Sequence, residues 1–312
     1  MSVALEPTPA AMSNPWLRYF AATRPAFLSV TFVGCLLGLA GAQLDHIPID
    51  PLKAIVTILF ALMAHAGVNV LNDYFDAQNG TDAANTERVF PFTGGSRFIQ
   101  NGILTERATG MFGYLLLALV VPAGLWLAAR SGPGLIGIGL GGLLVGWAYS
   151  APPLQLVSRG LGEVAITAGW LLVVSGTDFV QRHGLSFTPV AAGLGFSLLV
   201  ANVLYINQFP DLKADALAGK RTMVVRLGAR RARYGYGALS ALCGAWVMAM
   251  VFAGALPRLA LLALLPLSLS AAAFSVLWKN AGHPPGLAPA IKLTILAAVA
   301  HGLTLSVALL FS

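Results

Sequence analysis

The sequence predicts an all-α, polytopic membrane protein. Of its 312 residues, 57% are hydrophobic and only 10% are charged, whereas soluble domains carry about 25% charged residues. The mean hydropathy is +0.77, and the apolar runs are continuous rather than alternating, which favours helices over the strands of a membrane barrel. This composition excludes a soluble globular domain and a disordered chain. Two cysteines, Cys35 and Cys243, lie in separate apolar runs, which excludes a disulfide scaffold.

Nine apolar runs are long enough to cross a bilayer, which takes about 20 residues in a helix. They are 26–44, 52–71, 111–129, 133–150, 164–180, 187–206, 234–255, 259–277 and 288–311. Spans this dense predict a single transmembrane domain over residues 25–312. Residues 1–24 contain prolines but no apolar core of a cleaved signal peptide. We therefore expect a cytoplasmic N-terminal segment, with the first span acting as the insertion signal.

The basic residues are distributed asymmetrically among the loops. With the N-terminus in the cytoplasm, 15 of the 19 lysines and arginines fall on the cytoplasmic side. The other four are Lys53, Arg130, Arg182 and Arg258. This bias predicts a cytoplasmic N-terminus and, with nine spans, a C-terminus outside. Because the basic residues lie in short loops between spans, the net charge of +7 indicates topology and phosphate binding, and no nucleic-acid partner is expected.

Two connections are long and polar, about 72–108 after the second span and about 207–233 after the sixth, and both fall on the cytoplasmic side. They hold seven of the 12 acidic residues: Asp73, Asp76, Asp82, Glu87, Glu106, Asp211 and Asp215. Each segment opens with Asn followed four residues later by Asp, a weak sign of two related halves. A solvated helix end would explain one such cluster, but two clusters on one membrane face favour a functional site.

The first cluster begins with Asn-Asp-Tyr-Phe-Asp at 72–76. Helical periodicity gives the second span one polar face; it carries His65, Asn69, Asn72 and Asp76. We expect the helix to end at Asn79-Gly80, so that Asp82 reaches the site from the loop. Carboxylate and amide oxygens are ligands that suit Mg²⁺, which binds proteins through one or two carboxylates plus substrate phosphates.

The second cluster is Asn207, Asp211 and Asp215, spaced four residues apart. Pro210 lies between them, and an interior proline disrupts a helix. We therefore expect the sixth helix to end or kink there, with Pro210 opening a new short helix. Carboxylates from both clusters would repel each other unless cations lay between them. A site with two metals and a diphosphate would balance that charge.

Candidate phosphate ligands and a candidate aromatic group lie beside these clusters. Lys220 or Arg221, in Gly219–Gly228, would bind phosphate oxygens. Arg97, after two glycines that allow close backbone approach, is another candidate. Each basic residue has the alternative role of a topology anchor. Tyr149, before the paired prolines that end the fourth span, is either a membrane-interface aromatic or a residue of the site.

Four ordered motifs together resemble one family. They are Asn-Asp-Tyr-Phe-Asp at 72–76, Tyr-Ser-x-Pro-Pro…Arg-Gly-Leu-Gly-Glu at 149–163, Asn-x₃-Asp-x₃-Asp at 207–215 and Gly-Lys-Arg-Thr at 219–222. The chain resembles the UbiA superfamily of intramembrane aromatic prenyltransferases. It is most similar to the menaquinone-biosynthesis branch, which prenylates 1,4-dihydroxy-2-naphthoate. The resemblance implies nine helices around a central cavity, Mg²⁺ as cofactor, a prenyl diphosphate donor, an aromatic acceptor and a site open to membrane lipid.

The resemblance also implies residue roles. The implied metal ligands are Asn72, Asp76, Asp82, Asn207, Asp211 and Asp215. The implied diphosphate ligands are Asn72, Arg97, Asn207, Lys220 and Arg221. The implied catalytic residues are Asp73, Asp76, Tyr149 and Asp211, with Asp73 as a base for the acceptor. The expected location is the inner or plasma membrane of a bacterium.

The triplet Gln-Phe-Pro before Asp211 differs from that of many members of the family. Other acceptors therefore stay open: 4-hydroxybenzoate, homogentisate, a chlorin, haem or a lipid. A membrane transporter is the alternative from another functional class, since several spans with interior polar residues and weakly related halves fit a transporter too.

Overall fold

The computed structural model describes residues 5–312, and this part of the chain contains twelve α-helices and no β-strand. The helices are α1 (Pro15–Ala22), α2 (Pro25–Leu44), α3 (Pro51–Gln78), α4 (Thr81–Ala84), α5 (Glu106–Ser131), α6 (Gly134–Ser150), α7 (Gly162–Arg182), α8 (Thr188–Leu217), α9 (Met223–Leu227), α10 (Ala229–Phe252), α11 (Leu267–Asn280) and α12 (Ala288–Leu310). Short 3₁₀ turns cover Val157–Arg159, Arg258–Leu264 and Pro284–Leu287. The predicted all-α class is confirmed.

Eight helical segments are long and apolar enough to cross a membrane: Pro25–Leu44, Pro51–Gln78, Glu106–Ser131, Gly162–Arg182, Thr188–Leu217, Ala229–Phe252, Arg258–Asn280 and Pro284–Leu310. The predicted fourth span corresponds to α6, which has 17 residues. At 1.5 Å per residue it is about 26 Å long, slightly less than the hydrocarbon core of about 30 Å. Eight of the nine predicted spans therefore have the length and hydropathy that a membrane crossing requires.

Helix α3 is longer than the apolar run that predicted it, because its last two turns are polar. It continues to Gln78, with Asn79 as its C-cap, and Gly80 adopts a left-handed φ of 80°. The predicted stop at Asn79-Gly80 is confirmed. The left-handed backbone conformation after a helix end favours glycine, because glycine has no Cβ that would clash.

The predicted helix end at Pro210 is wrong. Helix α8 continues through Pro210 to Leu217, and no new helix opens there. An interior proline costs a helix about 3 kcal/mol. Pro210 cannot donate to the carbonyl oxygen of Ile206, four residues earlier. Ile206 and Phe209 are both buried in a hydrophobic cluster with α10, α11 and α12. This burial compensates for the proline and keeps Asn207, Asp211 and Asp215 on one helix.

The predicted eighth span, 259–277, is not one uniform α-helix. It begins as the 3₁₀ turn Arg258–Leu264, and α11 starts only at Leu267, after Pro266. The proline explains the change, because it cannot donate a backbone hydrogen bond to the preceding turn.

Helix α8 forms the centre of the bundle. It packs against α7 and α10 and also touches α2 and α12. Phe196, Leu199 and Ile206 along its length are fully buried. Helices α3, α5 and α6 pack against one another in a wall that also contacts α2 and α7, and many of their apolar side chains are exposed, as expected for a surface that faces lipid. The space between this wall and α2, α7 and α8 contains the main cavity.

We predict that Gly38→Ala destabilises the bundle. A Cβ at Gly38 would lie 2.5 Å from the carbonyl oxygen of Val174 and 2.7 Å from Cβ of Thr177, so α2 and α7 would have to separate. Overpacking of this kind costs about 1–3 kcal/mol. Gly137→Ala on α6 is the matched control, because nothing lies within 4 Å of its added Cβ. Thermal unfolding in detergent should show a lower Tm for Gly38→Ala alone; equal Tm values would contradict this close packing.

Candidate active site

A cavity of about 470 Å³ lies between α2, α3, α5, α6, α7 and α8. Its polar end is formed by the C-terminal turns of α3 and α8 and the loops that follow them. We call this end the acidic pole and define it by Asn72, Asp76, Asp82, Asn207, Asp211, Asp215 and Lys220, all of which line the cavity. The two acidic clusters, more than 120 residues apart in sequence, therefore meet at one site.

The C-terminal part of α3 contributes Asn72 and Asp76. The side-chain amide of Asn72 donates to Oδ2 of Asp76 at 3.2 Å and to Oγ of Ser150 at 3.0 Å. Asn79 donates to the other carboxylate oxygen, Oδ1 of Asp76, at 3.2 Å. These amides fix the orientation of the Asp76 carboxylate and connect the end of α3 to the end of α6. Tyr149, next to Ser150, also lines the cavity.

Helix α8 contributes the second cluster. Asn207, Asp211 and Asp215 all line the cavity, as their four-residue spacing predicts for one face of a helix. The side-chain amide of Asn85 donates to Oδ1 of Asp211, and Thr222 donates to Oδ2 of Asp215 at 3.4 Å. The side-chain oxygen of Asn207 is buried without a hydrogen-bond partner. It is therefore an acceptor available to a ligand in the cavity.

Lys220 connects the two clusters. Its Nζ lies 2.6 Å from Oδ1 of Asp76 and 3.8 Å from Oδ1 of Asp215, and its side chain is buried. Burial alone would lower the pKa of this ammonium, but the carboxylates of Asp76 and Asp215 outweigh it and raise the pKa above its ordinary value. Lys220 is therefore a buried cation that bridges the end of α3 and the end of α8.

Asp82 reaches the acidic pole from α4, as predicted for a residue after the helix end. It is buried. Burial and the negative charges of Asp76 and Asp73 raise its pKa well above the ordinary value. Gly95, with a φ of 71°, passes directly against this carboxylate, and a Cβ there would overlap Oδ2 of Asp82. The glycine pair at 94–95 therefore allows the loop to close over Asp82.

Three predicted site residues do not line the cavity. Asp73 is buried behind the loop, where its Oδ2 accepts a hydrogen bond from the backbone N–H of Ser96 at 3.1 Å and its Oδ1 lies next to Gly95. Arg97 is buried and donates from Nη1 to the carbonyl oxygen of Asp82 at 2.6 Å. Arg221 is exposed, and its backbone N–H donates to Ser158. Asp73 and Arg97 thus hold the loop in place, and of the neighbouring cations at 220 and 221 only Lys220 faces the cavity.

Arg24 is a further residue of the site, although its sequence context indicates only a topological role. Arg24 lines the main cavity and also a second apolar cavity of about 520 Å³ beside α12. Its guanidinium lies 4.6 Å from the centre of the Phe27 ring and donates from Nη2 to the carbonyl oxygen of Phe92 at 2.9 Å. Its Nε is buried without a hydrogen-bond partner. The left-handed φ of 57° at Arg24 could not be read from the sequence.

Beyond the acidic pole the cavity becomes apolar. His65 accepts or donates a 2.8 Å hydrogen bond with Thr31 and packs edge-on against Trp170, with ring centres 5.0 Å apart. Further along, the lining includes Val121 and Leu125 of α5 and Ile136 and Leu140 of α6, which are also exposed on the outside of the bundle. The cavity therefore opens sideways between α5 and α6, towards the surface that faces lipid.

The oxygen-rich residues of the acidic pole fit a hard divalent cation. Four carboxylates face the cavity with one lysine among them, and Asn207 adds an unpartnered oxygen. Within residues 5–312 no three His, Cys, Asp or Glu side chains are placed to hold one ion by themselves. An ion here would therefore need further oxygen ligands from a bound substrate, which is how Mg²⁺ is usually held together with phosphates.

The site has an acidic end, bridged by a lysine, that opens into an apolar channel. These features define a class of intramembrane enzyme. The UbiA prenyltransferase family matches residues 27–300. The chain therefore belongs to the UbiA prenyltransferase family, and it is a prenyltransferase embedded in a membrane.

Several relatives are named 1,4-dihydroxy-2-naphthoate octaprenyltransferase. The protein from Mycobacterium tuberculosis is 32% identical over 64% of this chain and 67% of its own length. The protein from Escherichia coli is 30% identical over 71% of each chain. Among solved structures, a UbiA homologue from Aeropyrum pernix superposes with a TM-score of 0.64 at 18% identity, over 91% of this chain and 98% of that one. A UbiA homologue from Archaeoglobus fulgidus bound to GPP and Mg²⁺ gives 0.60 at 18%, over 93% and 99%. These structures share the fold.

Gly95→Ala should reduce prenyl transfer by at least tenfold, because the added methyl group would displace the Asp82 carboxylate. Gly102→Ala is the matched control: it has a similar φ of 69°, but nothing lies within 4 Å of its added Cβ. Both variants carry the same backbone strain, of about 1 kcal/mol for a left-handed residue, so only Gly95→Ala tests the contact. Comparable transfer rates in purified protein would show that Asp82 does not depend on Gly95.

Proposed function

We propose that the protein transfers an isoprenyl group from a polyprenyl diphosphate to an aromatic acceptor in a Mg²⁺-dependent reaction, and that the acceptor is 1,4-dihydroxy-2-naphthoate, in menaquinone biosynthesis. The observation that supports this most directly is the meeting of two acidic clusters around Lys220 at the mouth of an apolar channel. Such a site fits a substrate with a diphosphate head and a hydrocarbon tail. The names of the relatives support the choice of acceptor.

The diphosphate would bind at the acidic pole. The residues that would hold the metal are Asn72, Asp76, Asp82, Asn207, Asp211 and Asp215. The diphosphate would supply the remaining oxygen ligands of the metal. Bound Mg²⁺ supplies Lewis-acid stabilisation of the leaving diphosphate. Lys220 would contact phosphate oxygens directly as a point charge. The guanidinium of Arg24, at the inner side of the pole, offers a second cation to an anionic group of either substrate.

Breaking the allylic C–O bond leaves its electron pair on the diphosphate and a cation on the prenyl carbon. Lys220 stabilises the charge that develops on the leaving group, because it is fixed in place before the reaction begins. The apolar walls of the channel keep water away from the allylic cation, which water would otherwise convert to an alcohol.

The electron-rich ring of the acceptor would then supply the electron pair for the new C–C bond. The attacked ring carbon regains aromaticity by losing its substituent, which is a proton where it carries hydrogen and carbon dioxide where it carries a carboxylate. Tyr149 and Trp170, both of which line the cavity, offer aromatic surfaces against which the ring can pack. Asp73 does not line the cavity and accepts a hydrogen bond from the backbone of Ser96, so its position suits support of the loop rather than proton transfer.

The prenyl tail would occupy the apolar channel. The channel is open on the lipid-facing side between α5 and α6, so a tail longer than the cavity can continue into the bilayer. A sideways opening also explains how a lipid product leaves without crossing water.

We propose that the chain is one domain over residues 25–312 in the inner or plasma membrane of a bacterium. In this arrangement α6 also crosses the membrane, giving nine spans, with the N-terminal segment and the acidic pole cytoplasmic and the C-terminus outside. The asymmetric distribution of basic residues supports this orientation. Accessibility of cysteines introduced at Asn14 and Ser312 to a membrane-impermeant thiol reagent would test it.

Asp76→Asn and Asp211→Asn should each lower kcat/KM for the prenyl diphosphate by at least a thousandfold, because each removes a charged ligand from the shared site. Glu106→Gln, an exposed acid outside the cavity, is the matched control. The measurement is transfer of a labelled prenyl group in membranes with equal amounts of each protein. Activity near wild type in either aspartate variant would overturn the metal-site assignment.

Lys220→Ala should raise KM for the prenyl diphosphate by at least tenfold, since a buried cation in contact with phosphate is lost. Arg230→Ala removes an exposed cation of the same connecting region and should leave KM unchanged. The measurement is KM for the donor from steady-state kinetics of each variant. A similarly small rise in KM for both variants would mean that Lys220 acts only through the net charge of the region.

The acceptor is tested by supplying one donor with a panel of acceptors. We expect 1,4-dihydroxy-2-naphthoate to be prenylated with a kcat/KM at least a hundredfold above that for 4-hydroxybenzoate, homogentisate, a chlorin or haem. Prenylation of another member of the panel at the higher rate would keep the chemistry and change the acceptor. Incorporation into none of them would contradict aromatic prenyl transfer.

A further inference from the structure

The N-terminal segment, residues 5–14, lies against the loop that follows α4. Glu6 makes the contact: its Oε1 accepts a hydrogen bond from Nε of Arg88 at 2.6 Å and its Oε2 one from the amide of Asn101 at 3.3 Å. Nε of Arg97 lies 3.7 Å from the same carboxylate. Asn101 also donates to the carbonyl oxygen of Pro7 at 2.9 Å. One acidic side chain thus joins the N-terminal segment to two arginines.

Each of these two arginines also donates a hydrogen bond to a backbone carbonyl oxygen in or directly after α4. Nη1 of Arg88 donates to the carbonyl oxygen of Asn85 at 2.6 Å. Nη1 of Arg97 donates to the carbonyl oxygen of Asp82, also at 2.6 Å. Two guanidiniums therefore bridge one carboxylate to the backbone of Asp82 and Asn85, whose side chains both line the cavity.

The turn needs this support because α4 has only four residues, and one helical turn is not stable by itself. Its orientation decides where the Asp82 carboxylate lies in the pole and whether the amide of Asn85 reaches Asp211. Cations bound to the carbonyl groups at the end of a helix are also electrostatically favourable.

We propose that Glu6 is a positioning residue for the acidic pole: through Arg88 and Arg97 it fixes the turn that carries Asp82 and Asn85. The proposal rests on the proposed function, because it assigns Glu6 to the binding of the diphosphate and its metal. Glu6 itself touches neither the cavity nor any group that would contact substrate.

The charge of Glu6 is the important property. Burial works to raise its pKa, but the hydrogen bonds from Arg88 and Asn101 outweigh burial and hold the pKa below its ordinary value. Without this carboxylate the two guanidiniums would face each other, and burial and the charge of Arg88 already lower the pKa of Arg97. Their repulsion would move the loop that closes over Asp82.

Glu6→Gln tests the proposal, with Glu6→Asp as the conservative variant and Glu106→Gln as the control. We expect Glu6→Gln to weaken the binding of a prenyl thiodiphosphate, measured by calorimetry with Mg²⁺ and without acceptor, by about tenfold, the size of effect typical of a lost charge-assisted network. The apparent KM for both Mg²⁺ and the prenyl diphosphate should rise by a similar factor. We expect kcat to change by less than about threefold, Glu6→Asp to recover most of the loss, and Glu106→Gln to match wild type. The Tm in detergent should stay within about 2 °C of wild type for all three.

Coupling provides the second measurement. Arg88→Gln should produce a similar rise in the apparent KM for Mg²⁺, and the double variant Glu6→Gln/Arg88→Gln should be no worse than either single change, because both act through one network. Unchanged KM values in Glu6→Gln, or a loss of kcat and Tm with KM unaffected, would overturn the positioning role. Inactivity of the wild-type protein with every donor and acceptor would instead refute the proposed function, so the two failures are distinct.

Discussion

The ammonium group of Lys220 lies among four carboxylates at one end of the membrane bundle and contacts two of them. It touches Asp76 at the end of α3 and approaches Asp215 at the end of α8, two helices that share few other contacts near the site. Around it, amides of Asn72, Asn79 and Asn85 each bind a carboxylate oxygen. Charges of one sign this close in a buried place repel strongly. The residual negative charge is the feature that calls for divalent ions.

The rest of the bundle positions the acidic clusters and adds an apolar channel beside them. Helix α8 is buried along most of its length and stays continuous through Pro210, so the spacing of Asn207, Asp211 and Asp215 keeps all three on the cavity side. The apolar channel below the pole, open between α5 and α6, adds the complementary property. A substrate with a highly charged head and a hydrocarbon tail can bind here because the acidic pole and the apolar channel form one continuous cavity.

The sequence predicted the helices and the two acidic clusters because both depend on local patterns. Apolar runs identify spans, and four-residue spacing places Asn72 with Asp76 and Asp211 with Asp215 on one face. The end of α3 was likewise predictable from Asn79-Gly80. The helix end expected at Pro210 was wrong, since the packing of Ile206 and Phe209 decides it. The choice between the neighbours Lys220 and Arg221 required the backbone path after α8. The roles of Arg24 and Glu6 depend on contacts across 68 and 82 residues, which no local pattern carries.

The central claim is that both acidic clusters bind one diphosphate through shared divalent ions. A crystal structure of the protein with a non-hydrolysable prenyl thiodiphosphate and Mn²⁺ tests it most directly, because anomalous scattering locates the ions independently of the protein. We predict ion peaks between the diphosphate and the carboxylates of Asp76 and Asp211, with the prenyl tail in the apolar channel. A diphosphate bound with ions at only one of the two clusters, or bound outside the acidic pole, would contradict it.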